Sequence, residues 1–393
     1  MSQVIMVGCD LHDRSMLLRF SIGSGDPQQK CFPNDARGRK AMLASLQQLA
    51  TKSRCERIVL AYEASGLGYG LSDFLNAQGV ECYVLSPTHL PKTPKNAKLK
   101  TDAKDAQMLL EQVRGFVLAG NRLPVVWTPP QRLRDDRELV RARIDAADES
   151  TRVKLKILTL LKRREISKPT WYTSKWSKRF LRWLRESVIA NLDLAVAAVL
   201  ERLVDRYELY HSEQQKLEKA IGALAKTPRY KAGFAKLRKL PGVGLLTAMT
   251  FLTEMGDVNR FDNRRQVAAY LGLCPSSHES GGPGVDRKGR ITRQGSGRLR
   301  KLLCQAVWVS INRSAEVAEA YERIKQGQSK RTKKAVVALM RKLAIRMWHV
   351  VMSCGVSSEL QGAGGPPQVS RSLVEQRERA DARSATAPLG CSG

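Results

Sequence analysis

Four acidic residues stand where the chain could do metal chemistry. Asp10 closes the apolar run VIMVGCD, Glu63 closes RIVLAYE, and Asp102 and Asp105 lie three apart in KTDAKDA, within a lysine-crowded span from Lys92 to Lys104. Residues three apart share a helix face, and a segment built only to grip an anion would not carry carboxylates. Brought together, two like charges at ~4 Å repel by about 4 kcal/mol at an effective dielectric of about 20. Protons or divalent cations must settle such a cluster, and hard oxygen ligands suit Mg²⁺ or Mn²⁺. Two such ions can hold a phosphodiester, one at the attacking oxygen and one at the leaving oxygen. Lys98, Lys100 and Lys104 would then grip the polyanion's backbone beside the acids. Each acid also has a plainer reading. Asp102 and Asp105 suit the cap and first turn of a helix, Asp10 suits a turn with Asp13 as a rival ligand, and Glu63 suits the cap of the next helix.

Positioning those acids requires an α/β domain. VIMVGCD and SMLLRFSI read as strands around the turn-like HDR, and DARGRKAMLASLQQLA reads as a helix behind an Asp cap. RIVLAYE and VECYVLS read as further strands, with GLSDFLNAQG a helix between them. The first three strands are expected to form a meander. The expected fold is RNase H-like over residues 1–125. There the ends of the first and fourth strands lie side by side, and the helix that opens at Asp102 packs across them.

After WTPP the pattern becomes helical. Leu133, Val140, Ile144, Ala147, Leu155 and Leu158 recur at roughly helical spacing. A cleaner seam of Val196, Leu200, Leu203, Tyr207, Tyr210, Gln214, Leu217, Ile221 and Leu224 steps by fours and threes. This predicts a coiled-coil arm over 126–228, paired within the chain or with a second copy. Trp171, Tyr172, Trp176 and Trp183 lie among cations, suiting either stacking on RNA or packing beneath the arm. Residues 229–353 predict a mainly helical domain in which PGVG joins two helices like a helix-hairpin-helix. Gly242 and Gly244 would let backbone N–H groups approach a phosphate. Lys330, Arg331, Lys333 and Lys334 add phosphate contacts at the head of an amphipathic helix. Residues 354–393, rich in Gly, Ser, Pro and Arg, predict a disordered tail.

Composition points the same way. The 393 residues carry 67 Lys and Arg against 37 Asp and Glu, a net charge of +30. So large an excess favours a nucleic-acid partner, with a merely basic surface as the bland alternative. No apolar run is long enough to span a membrane, and MSQVIMVGCD lacks the pattern of a secretory leader. The eight scattered cysteines predict reduced thiols in a cytoplasmic protein, with little case for zinc. No GxxxxGK[ST] loop is present.

Asp10 in VGCDLHDRS, Glu63 in AYEASG and the pair in KTDAKDA resemble the DEDD domain of the bacterial insertion sequence 110 (110/1111/116/902) transposases. The stretch from LPGVGLLTAMTF to GSGRLRKLL resembles that family's second conserved domain. Coverage is about residues 3–120 and 229–350. The resemblance implies a bacterial transposase that cuts and exchanges the double-stranded DNA of element ends and target. It implies a RuvC-like metal domain holding Mg²⁺ or Mn²⁺ through Asp10, Glu63, Asp102 and Asp105. It further implies a serine nucleophile, carried over to Ser280 in HESGG, with Ser276 and Ser277 as neighbouring rivals. The ESGG context departs from the more usual doubled serine before glycine, which leaves the register of this loop open. A homo-oligomer, dimer or tetramer, and a guide RNA transcribed from the element are implied as well. Around Ser280, Arg287, Lys288, Arg290 and Arg293 would neutralise developing phosphate charge. Two rival readings stand beside this one: a RuvC-like structure-specific endonuclease that uses water, and a non-enzymatic nucleic-acid-binding protein.

Overall fold

A computed structural model describes residues 3–91, 101–173, 175–278 and 287–355. The chain forms two compact units, one over Met1–Thr128 and another beginning at Pro129.

The first unit is built on five strands: β1 (Gln3–Leu11), β2 (Ser15–Ile22), β3 (Gln28–Pro33), β4 (Cys55–Glu63) and β5 (Glu81–Leu85). Helices α1 (Ala36–Lys52), α2 (Gly70–Asn76) and α3 (Asp102–Ala119) surround them. The sheet order is β3-β2-β1-β4-β5. β1 to β3 form the expected antiparallel meander, while β4 runs parallel to β1 and β5 parallel to β4. The third strand, QQKCFP, is polar and largely exposed, as an edge strand can be. β1 and β4 read as continuous apolar runs because both of their faces are covered. Alternate side chains serve two cores: Ile5, Val7, Cys9, Leu60 and Tyr62 pack on one face, and Val4, Met6, Val59 and Ala61 on the other.

The second face receives α3. Thr101 caps the helix, its side chain accepting from the Lys104 N–H, and Gly120 ends it at φ 71°. Ala106, Leu109, Leu110 and Val113 form its buried stripe. Gly8 decides how close the helix comes. A Cβ at this position would sit 2.2 Å from both the Ala106 carbonyl oxygen and the Leu110 nitrogen. Only glycine lets the helix backbone rest directly on the centre of β1.

The second unit is mainly helical. It comprises α4 (Gln131–Arg163), α5 (Lys178–Trp183), α6 (Leu194–Leu224), α7 (Pro228–Leu237), α8 (Leu245–Met255) and α9 (Arg264–Tyr270), followed by a two-stranded ladder of β6 (Pro275–His278) and β7 (Arg287–Ile291). Three more helices, α10 (Gly297–Arg313), α11 (Ala315–Lys325) and α12 (Thr332–Met352), complete it.

α4 and α6 pair antiparallel within the chain. Arg143 meets Glu218 at 3.2 Å, and the Gln214 side chain donates to the Ala146 carbonyl at 3.2 Å. On α6 the spaced positions Leu200, Tyr207, Ile221 and Leu224 are buried, while Val204 is buried in place of its half-buried neighbour Leu203. On α4 the spaced Leu133, Val140 and Ile144 are buried, and the departure comes further along the helix. Leu155 is exposed, and Val153, Ile157, Leu160 and Leu161 carry the contact instead. A straight helix drifts about 20° per heptad, so over 33 residues several leucines lie near the seam and only packing selects among them. The aromatic stretch packs beneath this pair. Phe180 is fully buried, and Trp171, Tyr172, Trp176 and Trp183 lean on the same core, Trp176 lying 4.8 Å from the Tyr207 ring.

Candidate metal centre and basic surfaces

Asp10 sits on β1 two residues beyond Gly8, and side chains two apart share a face. It therefore emerges on the α3 side of the sheet, at the strand's C-terminal end. Because Gly8 seats α3 against β1, the first turn of the helix brings Asp102 to the same place. His12 follows Asp10 by the same period of two. The turn that carries it is held by its N–H donating to the Ser15 carbonyl at 2.9 Å, and by Asn34 donating to its carbonyl at 2.7 Å.

The three side chains converge. His12 Nε2 lies 3.0 Å from Asp10 Oδ2 and 3.4 Å from Asp102 Oδ1. One ligand atom from each falls within 4.8 Å of the others. Burial raises the Asp10 carboxyl above its ordinary value; the charges of Asp102 and Asp105 push it the same way, while His12 pulls it down. The His12 imidazole is raised in turn, chiefly by the negative charge of Asp10. The donor set is two carboxylate oxygens and one imidazole nitrogen around a point of crowded negative charge. It fits a divalent cation, oxygen-rich enough for Mg²⁺ or Mn²⁺.

Asp105 lies one helical turn behind Asp102, half-buried, close enough for its charge to act on Asp10. Glu63 ends β4. The register Cys9↔Tyr62 makes it the next residue of the strand beside Asp10, and the alternation Val59, Ala61, Glu63 puts it on the same face. Neither Asp105 nor Glu63 belongs to the cluster of ligand atoms within 4.8 Å. The structure thus gathers Asp10 and Asp102 tightly, with Asp105 and Glu63 around them. Four carboxylates at ligand distance would repel severely, and this looser arrangement spreads that charge. His12 was not picked out among the candidate ligands from sequence, although the D-x-H spacing at the end of a strand was a usable signal. Asp13, the rival ligand, is not a member of the cluster.

The other nominated residues are dispersed. Lys98, Lys100 and Ser280 lie outside the described residues, and Lys104 is exposed on the first turn of α3. Gly242, at φ +76°, faces α10: a Cβ there would lie 2.1 Å from the Ala306 carbonyl oxygen and 2.5 Å from Ser310 Oγ. Its lack of a side chain therefore serves helix packing. Gly244 is the N-cap of α8. Arg287 and Lys288 open β7; Arg290 is exposed on that strand and Arg293 just after it. Ser276 donates to the Arg290 carbonyl at 3.0 Å, which ties this rival serine into the ladder. Lys330, Lys333 and Lys334 are exposed around the start of α12, and Arg331 pairs with Gln326. No helix among the described residues is long and apolar enough to cross a membrane.

Comparison with known proteins matches two family models. Residues 235–322 fit one described as the transposase IS116/IS110/IS902 family, and residues 7–164 fit a DEDD transposase model of the same insertion-sequence group. Two Sinorhizobium fredii proteins named as candidate transposases are similar. The chain is 31% identical to y4qE over 267 residues, 67% of this chain and 61% of that protein. It is 29% identical to y4rJ over 356 residues, 86% and 88% of the two chains. The transposase for insertion sequence element IS1533 of Leptospira borgpetersenii is 25% identical over 70% of this chain and 76% of its own length.

Proposed function

This chain belongs to the IS116/IS110/IS902 family of transposases, and from that membership we propose that it cuts and exchanges DNA strands through a metal-dependent, serine-assisted reaction. The observation that carries the proposal is the meeting of Asp10, His12 and Asp102 at one end of β1 in a chain of net charge +30. The β3-β2-β1-β4-β5 order with α3 laid across β1 and β4 supports an RNase H-like reading of this unit. In that reading residues 1–125 are the metal domain, 126–228 the coiled-coil arm, 229–353 the domain of the nucleophile, and 354–393 a tail.

Asp10 and Asp102 hold the cation with His12, and Glu63 and Asp105 complete its anionic surroundings. A bound Mg²⁺ or Mn²⁺ supplies Lewis-acid polarisation of the phosphodiester and stabilises its developing charge. Lys98, Lys100 and Lys104 orient the DNA backbone beside the acids. The Ser280 hydroxyl attacks phosphorus. A serine Oγ–P bond forms and the P–O bond of the strand breaks; the serine proton passes to solvent, and the departing sugar oxygen takes one up from solvent to leave as a hydroxyl. Arg290 and Arg293, with Arg287 and Lys288, lower the cost of the extra negative charge. A hydroxyl from the partner strand reverses the step, so phosphodiester bonds are conserved and no ATP is required. The partners are duplex DNA at the element's ends and target, further copies of the chain, and an element-derived RNA that guides target choice. The compartment is the bacterial cytoplasm.

Incubating the protein with DNA flanking its own coding sequence, with and without Mg²⁺, tests this. The expected result is metal-dependent cleavage with a covalent protein–DNA adduct. The adduct is lost in Ser280→Ala, and all processing falls at least about 10³-fold in Asp10→Asn and Asp102→Asn, as expected when a group central to the chemistry is removed. Cleavage without an adduct would establish a water-using nuclease instead. Unaltered processing in the aspartate variants would overturn the proposal.

A further inference from the structure

A concavity of about 860 Å³ in the second unit lies between α9 and the C-terminal half of α12. Its rim carries Arg264 and Arg265 from α9 and Arg341, Lys342 and Arg346 from α12, with His349 beyond them. None of the described residues that line it is acidic. A second hollow of about 360 Å³ shares Lys342 and Arg346 with the first and reaches Leu240 and Pro241, in the link between α7 and α8. That second hollow also holds Glu316 and Arg323 and is lined from α10 and α11, so the acid-free lining belongs to the first alone.

Elsewhere in this unit cations find acids. Arg141 pairs with Glu254, Arg229 with Asp136, Arg298 with Asp145, and Lys301 with Asp148. Among the described residues, none of the five rim cations forms such a pair, and all five are exposed. Their side chains repel one another around one hollow, a cost that a polyanion would reverse. The floor is different in kind: Ala268 is buried, and Ile345 and Val350 are half-buried. From Arg341 to Ser353 the lining follows α12 for about 18 Å at 1.5 Å per residue. A free phosphate would fill only a corner of that length. A phosphodiester chain would lay its charges against the rim and its sugars on the floor.

We propose that the groove between α9 and α12 binds the phosphodiester backbone of a nucleic acid through Arg264, Arg265, Arg341, Lys342 and Arg346. None of these residues belongs to the acidic cluster or to the basic group at the start of α12. The inference rests on the reading of this chain as a nucleic-acid-processing protein. Duplex DNA and an RNA strand share the required chemistry and form the two arms of the test.

The test compares the whole protein with a triple variant, Arg341→Ala/Lys342→Ala/Arg346→Ala. A control removes equal charge from exposed positions on α6, Arg206→Ala/Lys216→Ala/Lys219→Ala. Binding to duplex DNA and to RNA is measured in EDTA, where no cleavage intervenes, across a salt series. Each lost phosphate contact lowers the slope of log K against log salt by about 0.9 for duplex DNA and about 0.7 for a single strand. The groove variant should lose about two to three such contacts and at least tenfold in affinity for one of the polymers, and the control should lose none. Independently, the bound polymer should slow alkylation of Cys274, which lines the groove, and leave the exposed Cys31 unchanged. Equal losses in both variants, or an unprotected Cys274, would overturn the groove while leaving the metal centre to its own cleavage test. Failure of the wild-type protein to bind either polymer would sink both readings.

Discussion

At Gly8 a missing side chain decides where two acids meet. The helix backbone occupies the space a Cβ would need, so Gly8→Ala must push α3 away from β1 and carry Asp102 away from Asp10. Overpacking of this kind costs about 1–3 kcal/mol. The variant should unfold earlier in a thermal melt and lose metal-dependent cleavage although every candidate ligand remains. His12 and Asp13 offer a sharper comparison, since one belongs to the cluster and the other does not. His12→Ala should weaken Mn²⁺ binding by about tenfold or more, on the scale of losing an ordering partner at a metal site, and Asp13→Ala should leave it unchanged. Titration calorimetry distinguishes the two. The aspartates were legible in the sequence because they end apolar runs in a basic chain. His12 was the less visible partner because one histidine in a turn carries no periodic signal until the strand's register is known.

At the scale of elements, α8 is held at its C-terminal end by a residue from a distant helix. Buried Arg137 of α4 donates to the Thr253 carbonyl at 2.6 Å and to the Glu254 carbonyl at 2.9 Å. It serves carbonyls at the end of a helix that has no basic residue in its own last turn. Arg137→Met should cost about 3 kcal/mol, because those buried carbonyls lose a charged donor; a urea titration measures this. The link between the 178–188 segment and α6 is weaker. Arg185 donates to Glu208 at 2.8 and 2.9 Å and to Asp205 at 3.0 Å, and these hydrogen bonds hold the Glu208 carboxyl below its usual range. A carboxylate depressed in the folded state adds stability above its unfolded value, and that stability is lost as pH falls through the folded one. Both partners are more than a third exposed, so the pair is worth less than about 1 kcal/mol. Glu208→Gln should lower stability slightly at neutral pH, and the difference should vanish in acid below the ordinary carboxylate range. Sequence spacing found the seam of α6 because its apolar positions step regularly. On α4, Leu155 has the right chemistry and faces outward.

For the whole molecule, the net charge of +30 makes salt the controlling variable. A protein that neutralises six to ten phosphates loses about 10³–10⁵ in affinity between roughly 50 and 200 mM salt, and wild-type binding should follow that steepness in a filter-binding series. The division of labour proposed between the two units predicts an asymmetry. Ser280→Ala should abolish the covalent adduct while leaving Mn²⁺ affinity unchanged, whereas Asp102→Asn should reduce both. Adduct gels and calorimetry on the same preparations read the two effects separately.

The amino-acid sequence by itself determined the alternation of strands and helices, the change to long helices after WTPP, and the polyanion-seeking charge. These follow from local periodicity and composition, which need no knowledge of neighbours. Tertiary structure alone decided that Asp10 and Asp102 meet at ligand distance with His12 between them. It alone decided that Glu63 stands beside them rather than among them, that Gly242 answers to a helix rather than to a phosphate, and that cations from α9 and α12 share one groove. Those outcomes depend on how closely one backbone approaches another, a distance set by packing across segments far apart in the chain.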